Sequence, residues 1–231
     1  MKRITVLSMS LLLTVPVLAQ QEEQTRIQES AQVLRDIVGM PDKGIPHDLL
    51  DKAECIVVYP SVKKAAFVVG GSYGRGIITC RKGANFSGPS WSAPAMFALE
   101  GASVGLQIGG EATDFVLLIM NEQGAKSVMS SKVKLGGDAS VAAGPVGRTT
   151  SAETDIVMKA QILSWSRSRG VFAGIALTGS TMRSDNDGNK ILYGKELTAT
   201  EIVINGKVPP PPAAKSLLAL LNKTSPKHVA K

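Results

Sequence analysis

Histidine is nearly missing from this chain: His47 and His228 are the two it has in 231 residues. Neither stands where a catalytic base is needed, and no H-E-x-x-H, G-x-S-x-G or Walker string occurs. Glu100, Glu111 and Asp114 lie on strand or turn segments without a paired base and read as solvated or turn-capping carboxylates. Cysteine is equally scarce. Cys55 and Cys80 are the two present, and their spacing matches no zinc motif. These absences point away from an enzyme, a cofactor and a metal.

Aromatic residues are also few, at 4%, although 44% of the chain is hydrophobic and 23 residues are glycine. A core of Val, Ile, Leu and Ala with many tight turns follows, which favours a β-rich fold. Basic residues gather at Lys63-Lys64, Arg75, Arg81-Lys82 and Arg167 with Arg169, but only Tyr73 and Trp165 accompany them in sequence. Single-stranded nucleic acid is held by aromatics interleaved with cations, so nucleic acid is not an expected partner.

The apolar run 4–15 is short for a bilayer span. Lys2 and Arg3 precede it, Pro16 interrupts it, and Val17-Leu18-Ala19 supplies cleavage-type residues before the polar Gln20-Gln21-Glu22-Glu23. This is the layout of a secretory signal peptide cleaved after Ala19, a retained anchor being the alternative. The expected location is periplasmic or secreted. Loss of Lys2 and Arg3 lowers the formal charge from +7 to +5, which leaves a mildly basic surface suited to acidic partners. Export also permits a Cys55–Cys80 disulfide contributing about 3 kcal/mol, two buried free thiols being the alternative.

Ile27, Ala31, Leu34 and Val38 recur at helical spacing and predict an amphipathic helix over 25–38, followed by a short second helix from Pro46. Strands are expected at 55–59, 65–69 and 77–81, separated by Pro60-Ser61 and by the glycine cluster 70–76. The alternation at 104–108 predicts a strand, and the continuous apolar run 115–120 predicts a central strand buried on both faces. A short helix or turn over 122–131 and strands at 132–135, 139–143, 159–165 and 171–177 follow. Asp185 to Asn189 reads as a hairpin turn, since no glutamate completes a calcium loop. The glycine cluster lacks the G-x-G-x-x-G order and a following helix, so it reads as turn rather than phosphate cradle. Pro209 to Pro212 reads as a polyproline spacer before a short leucine-rich helix. The expectation is α+β, a predominantly antiparallel sheet with an N-terminal amphipathic helix and a few short helices. The domain is expected over 20–221, with a flexible basic tail at 222–231.

Six strings then occur together and in order: Tyr73-Gly74-Arg75-Gly76, Trp91-Ser92-Ala93-Pro94, Gly105-Leu106-Gln107-Ile108-Gly109, Leu135-Gly136-Gly137-Asp138, Gly144-Pro145-Val146-Gly147-Arg148 and Ser166-Arg167-Ser168-Arg169-Gly170-Val171-Phe172-Ala173-Gly174. Their order and intervals resemble the SYLF-domain family over about 28–221. The resemblance implies a non-enzymatic lipid-binding domain, which in eukaryotic members recognises phosphoinositide membranes partly through an N-terminal amphipathic helix and in some members bundles actin. Carried over by position, the lipid-binding candidates are Ile27, Ala31, Leu34 and Arg35 on the helix, with Lys63, Lys64, Arg75 and Arg169 on a basic surface. An exported chain meets no actin, so anionic lipid or a membrane surface is the expected partner. An envelope protein docking on a sheet edge or on the polyproline segment is the alternative. The helix departs from the family pattern in carrying Glu22, Glu23, Glu29 and Asp36 against Arg26 and Arg35.

Overall fold

The spacing of Ile27, Ala31, Leu34 and Val38 is realised as α1 (Thr14–Val38) in the computed structural model, which describes residues 14–40, 44–66, 69–86, 88–104, 111–130, 132–146, 159–168 and 170–226. Expectations that fall on 1–13, on 105–109, on Gly147-Arg148, on Arg169 and on 227–231 with His228 lie outside the described residues. α1 starts earlier than the spacing predicts. Pro16 sits in its first turn, where a missing amide N–H costs no intrahelical bond, so the proline does not interrupt the helix. α2 (His47–Lys52) follows Pro46 and buries Leu49 and Leu50.

The three short strands expected before Arg81 are two long ones, β1 (Cys55–Ala66) and β2 (Val69–Cys80), paired antiparallel. Pro60-Ser61 is a bulge within β1, across which the register to β2 shifts between Val58 and Lys63. Ser61 takes a left-handed φ of 57°, and its amide donates to Asp114 Oδ1 at 2.8 Å. The glycine cluster lies inside β2 because the bulge crowds that strand. A Cβ on Gly76 would stand 2.0 Å from the Val58 carbonyl oxygen, and one on Gly74 would stand 2.4 Å from Val62 Cγ2. Glycine is required by close approach here, not by a turn.

The remaining strands are β3 (Ala95–Val104), β4 (Glu111–Ile119), β5 (Lys132–Lys134), β6 (Val141–Ala143), β7 (Ile162–Ser168), β8 (Val171–Gly174) and β9 (Thr181–Ser184). Among the described residues they form one sheet in the order β5-β9-β3-β2-β1-β4-β7-β6, with β8 also on β7. The β6–β7 pair is parallel and the other named pairs are antiparallel, so the fold is α+β. β4 is the interior strand that its apolar run predicts. Val116, Leu118 and Met120 join α1 in one core layer, while Phe115, Leu117 and Ile119 join the opposite layer with Ala125 and Val128 of α3 (Glu122–Met129). Cys55 and Cys80 face each other in the β1–β2 register and are joined by a disulfide.

Asp185 to Asn189 is a helix start and not a hairpin turn. The Asp185 carboxylate accepts the Gly188 amide at 3.1 Å and caps α4 (Asn186–Tyr193), which closes on Gly194 at φ 66°. A capping box of Thr198 and Glu201 opens α5 (Ala199–Val203), which the sequence reading passed over. Pro211 and Pro212 lead into α6 (Lys215–Thr224), whose Leu217 and Leu221 pack beneath α1. Ser225 beyond it is buried, its hydroxyl donating to the Leu50 carbonyl at 2.7 Å.

Candidate functional site

The apolar stripe of α1 is consumed by the sheet. Ile27, Ala31 and Leu34 are at most 1% exposed and pack with Val58, Val116 and Leu118 from the strands and with Leu217 and Leu221 of α6. In this conformation none of the three side chains is open to a bilayer. Arg35 remains outside, donating to Gln32 Oε1 at 2.5 Å.

Charged side chains fasten the helix at two places. Arg75 on β2 donates through Nη2 to Glu23 Oε1 at 2.7 Å and through Nε to Asp185 Oδ2 at 2.5 Å. Arg26 pairs with the other Glu23 oxygen. Burial acts to lower the pKa of the Arg75 guanidinium, but Asp185 and Glu23 outweigh it and hold the group above the ordinary arginine value. Towards the other end of α1, Arg167 reaches Asp36 at 2.5 Å and Asp114 at 2.6 Å, with its guanidinium over the Phe172 ring at 5.1 Å. Arg75 is therefore a structural clamp rather than an open cation.

Directly paired residues of neighbouring strands point to one face. The register places Ala112, Lys63, Tyr73, Glu100, Thr181 and Lys134 in one row across β4, β1, β2, β3, β9 and β5. At about 4.8 Å per strand this row is about 24 Å long. Arg75, Ala98, Arg183 and Lys132 form the next row. Lys63, Lys132 and Lys134 are exposed, and Tyr73 is 47% exposed although aromatic. Arg183 pairs with Glu100 at 2.7 Å, and that bond, ahead of the opposing effect of burial, raises its pKa. Leaving Arg75 in its clamp, the two rows present four cations and a tyrosine against the single carboxylate Glu100. Surfaces of this make-up attract anions and give an amphipathic ring a place at a membrane interface.

Of the basic candidates from the sequence, Lys63 lies in the first row and Arg75 in the second. Lys64 belongs to β1, but its side chain is outside the described residues, as is Arg169. The sequence reading missed Lys132, Lys134 and Arg183 as surface partners. Their signal was present as Lys132-Val133-Lys134 and Thr181-Met182-Arg183, each alternating with period two around a buried residue. What it lacked was the pairing of β5 with β9 and of β9 with β3. Among the described residues no cluster of three metal-ligating side chains occurs, and no helix is long and apolar enough to cross a membrane.

Residues 100–224 match the Ysc84 family model, described as Las17-binding protein actin regulator. LAS seventeen-binding protein 3 of Saccharomyces cerevisiae is 34% identical over 183 residues, which are 78% of this chain and 39% of that protein. Protein YSC84 of the same yeast is 34% identical over 208 residues, 86% of this chain and 43% of its own length. SH3 domain-containing YSC84-like protein 1 of Homo sapiens is 29% identical over 211 residues, 89% of this chain and 60% of that protein. The chain spans less than two thirds of the length of each.

Proposed function

The chain belongs to the Ysc84 (SYLF) family, and from that premise we propose that it is a non-enzymatic protein that binds anionic lipid surfaces, acting in the cell envelope after export. The observation that carries this reading is the exposed row of Lys63, Tyr73 and Lys134 with Arg183 and Lys132 behind it. Each basic residue held near an anionic leaflet contributes about 1 kcal/mol, and with Arg183 engaged by Glu100 the three lysines amount to about 3 kcal/mol, an affinity of several millimolar. Binding at that level is reversible and sensitive to salt. Tyr73 adds an amphipathic ring, and α1 serves as the brace that keeps the sheet rigid rather than as the inserted element. Flotation of the cleaved protein with vesicles of phosphatidylglycerol and phosphatidylcholine tests the reading: low-salt flotation that falls away at high salt supports it, and absence of flotation at low salt overturns it.

A second reading has its own support in relatives named for Las17 binding and in the exposed Pro209 and Pro210. A proline-rich segment of fixed backbone is a ready ligand for an aromatic-lined groove, so this chain would act as a protein-interaction module. Capture of a partner by the intact protein, lost in Pro209→Ala with Pro210→Ala while flotation is unchanged, would favour this reading.

A further inference from the structure

On the layer of the sheet away from α1, and at the end of β1 and β2 opposite the exposed row, lies a cavity of about 430 Å³. Its walls come from the segment after β2, from α3 and from α5 with the residue that follows it. The volume falls within the range of small-molecule sites. Phe86, Met129 and Ile204 supply its apolar wall, and Ile204 is 44% exposed although it is a large aliphatic. Met129 is unbranched and fills irregular space against flexible ligands.

The backbone around the cavity is held in an uncommon form. Asn85 and Phe86 both take left-handed conformations, at φ 52° and 58°, without being glycine. Strain of this kind persists where the surroundings impose it, and it collects at ligand sites. Arg81 is fixed in the wall, donating to the Ala53 carbonyl at 3.0 Å and stacked 4.6 Å from the Trp91 ring. At the mouth Lys126 pairs with Glu122 at 2.5 Å while its own side chain stays 71% exposed. That lysine is a cation on a flexible stem, able to exchange Glu122 for an incoming anionic group.

We infer that this cavity binds the chain of a single-chain anionic amphiphile, with the chain against Phe86, Met129 and Ile204 and the head group at Lys126. The site is separate from the cationic rows and does not require them to bind a membrane. The probe is oleate, titrated below its micelle concentration into the intact protein by calorimetry. One equivalent is expected to bind. Ile204→Trp and Met129→Trp fill the apolar wall and should each weaken oleate at least about tenfold, as withholding a few methylenes from burial would. Lys126→Glu should weaken oleate and leave oleyl alcohol little changed, and Glu122→Gln should tighten oleate by removing a like charge. Lys63→Glu with Lys134→Glu should leave oleate affinity as it was, which separates this site from the vesicle surface. Since a tryptophan in the wall can disturb folding, a photoreactive fatty acid is also cross-linked to the unaltered protein. Labelling within 81–86, 122–130 or 200–204 supports the site. The inference is overturned if oleate does not bind, if labelling falls elsewhere, or if folded variants of Ile204 and Met129 bind as tightly as the parent.

Discussion

Glu23 of α1 accepts from Arg75 of β2 at 2.7 Å with its side chain 2% exposed, so the charge that looks repulsive to a membrane in sequence is an internal fastening of the helix. Arg75 also holds Asp185, the cap of α4, at 2.5 Å, so one guanidinium ties a helix, a strand and a second helix start together. Arg75→Ala leaves the buried Asp185 carboxylate without its cation and Glu23 with Arg26 alone, and should cost about 3 kcal/mol of stability, the range for breaking one side of a buried pair. Denaturant unfolding checks it. Arg75→Ala that unfolds at the parent's midpoint would show that the clamp carries no weight.

Gly76 makes a stricter prediction, because its neighbours are backbone. A Cβ there meets the Val58 carbonyl oxygen at 2.0 Å and Tyr59 Cα at 2.8 Å. Gly76→Ala must push β1 and β2 apart at the bulge and should destabilise by about 3 kcal/mol or more, while Gly179→Ala meets no crowding and bears only the strain of its positive φ. Comparing the two melting temperatures isolates crowding from conformational freedom.

Glu54 should shape the pH dependence of stability. It is 9% exposed, and burial, reinforced by Glu122 and opposed by Lys126, pushes its carboxyl from 4.5 up to about 7. A carboxyl whose folded pKa is raised favours the folded state most while protonated in both states, below about pH 4.5. The unfolded chain releases its proton first, so this contribution declines as pH rises from 4.5 towards 7 and is gone above it. The decline is of the order of 1 to 3 kcal/mol. Unfolding free energies measured from pH 5 to 8 should fall less steeply in Glu54→Gln than in the parent, and parallel profiles would contradict the assignment.

The Cys55–Cys80 bridge spans neighbouring strands at the end of the sheet that carries the cavity. Replacing both cysteines by serine should remove about 3 kcal/mol, or about 6 to 12 °C in Tm for a chain of this length. A scan of parent and double variant, with and without reductant, reads it, and only the parent should respond to reductant.

Much of the fold was legible because it rests on period and run length. The 3.6-residue stripe of α1 and the doubly buried run of β4 each announce how many faces they hide, and both patterns lie within the elements they predict, although α1 and β4 begin earlier, at Thr14 and Glu111. The glycine cluster was misread because glycine serves turns and close approaches alike, and only the bulge at Pro60-Ser61, a pairing fact, decides between them. Asp185 was misread for a related reason, since the side chains that favour turns also cap helices. The exposed row was half legible. Lys63 and Tyr73 were visible as residues, but Lys134 joins them only through β9, a strand of four residues too short to declare itself.

The most direct test of the central claim is vesicle flotation of the parent beside Lys63→Glu with Lys134→Glu, at low and at high salt. Reversing two exposed charges changes no buried contact, so the variant should unfold as the parent does. The account predicts that the parent floats with anionic vesicles at low salt, is released at high salt, and that the double variant stays at the bottom under both conditions. A double variant that floats like the parent would contradict it.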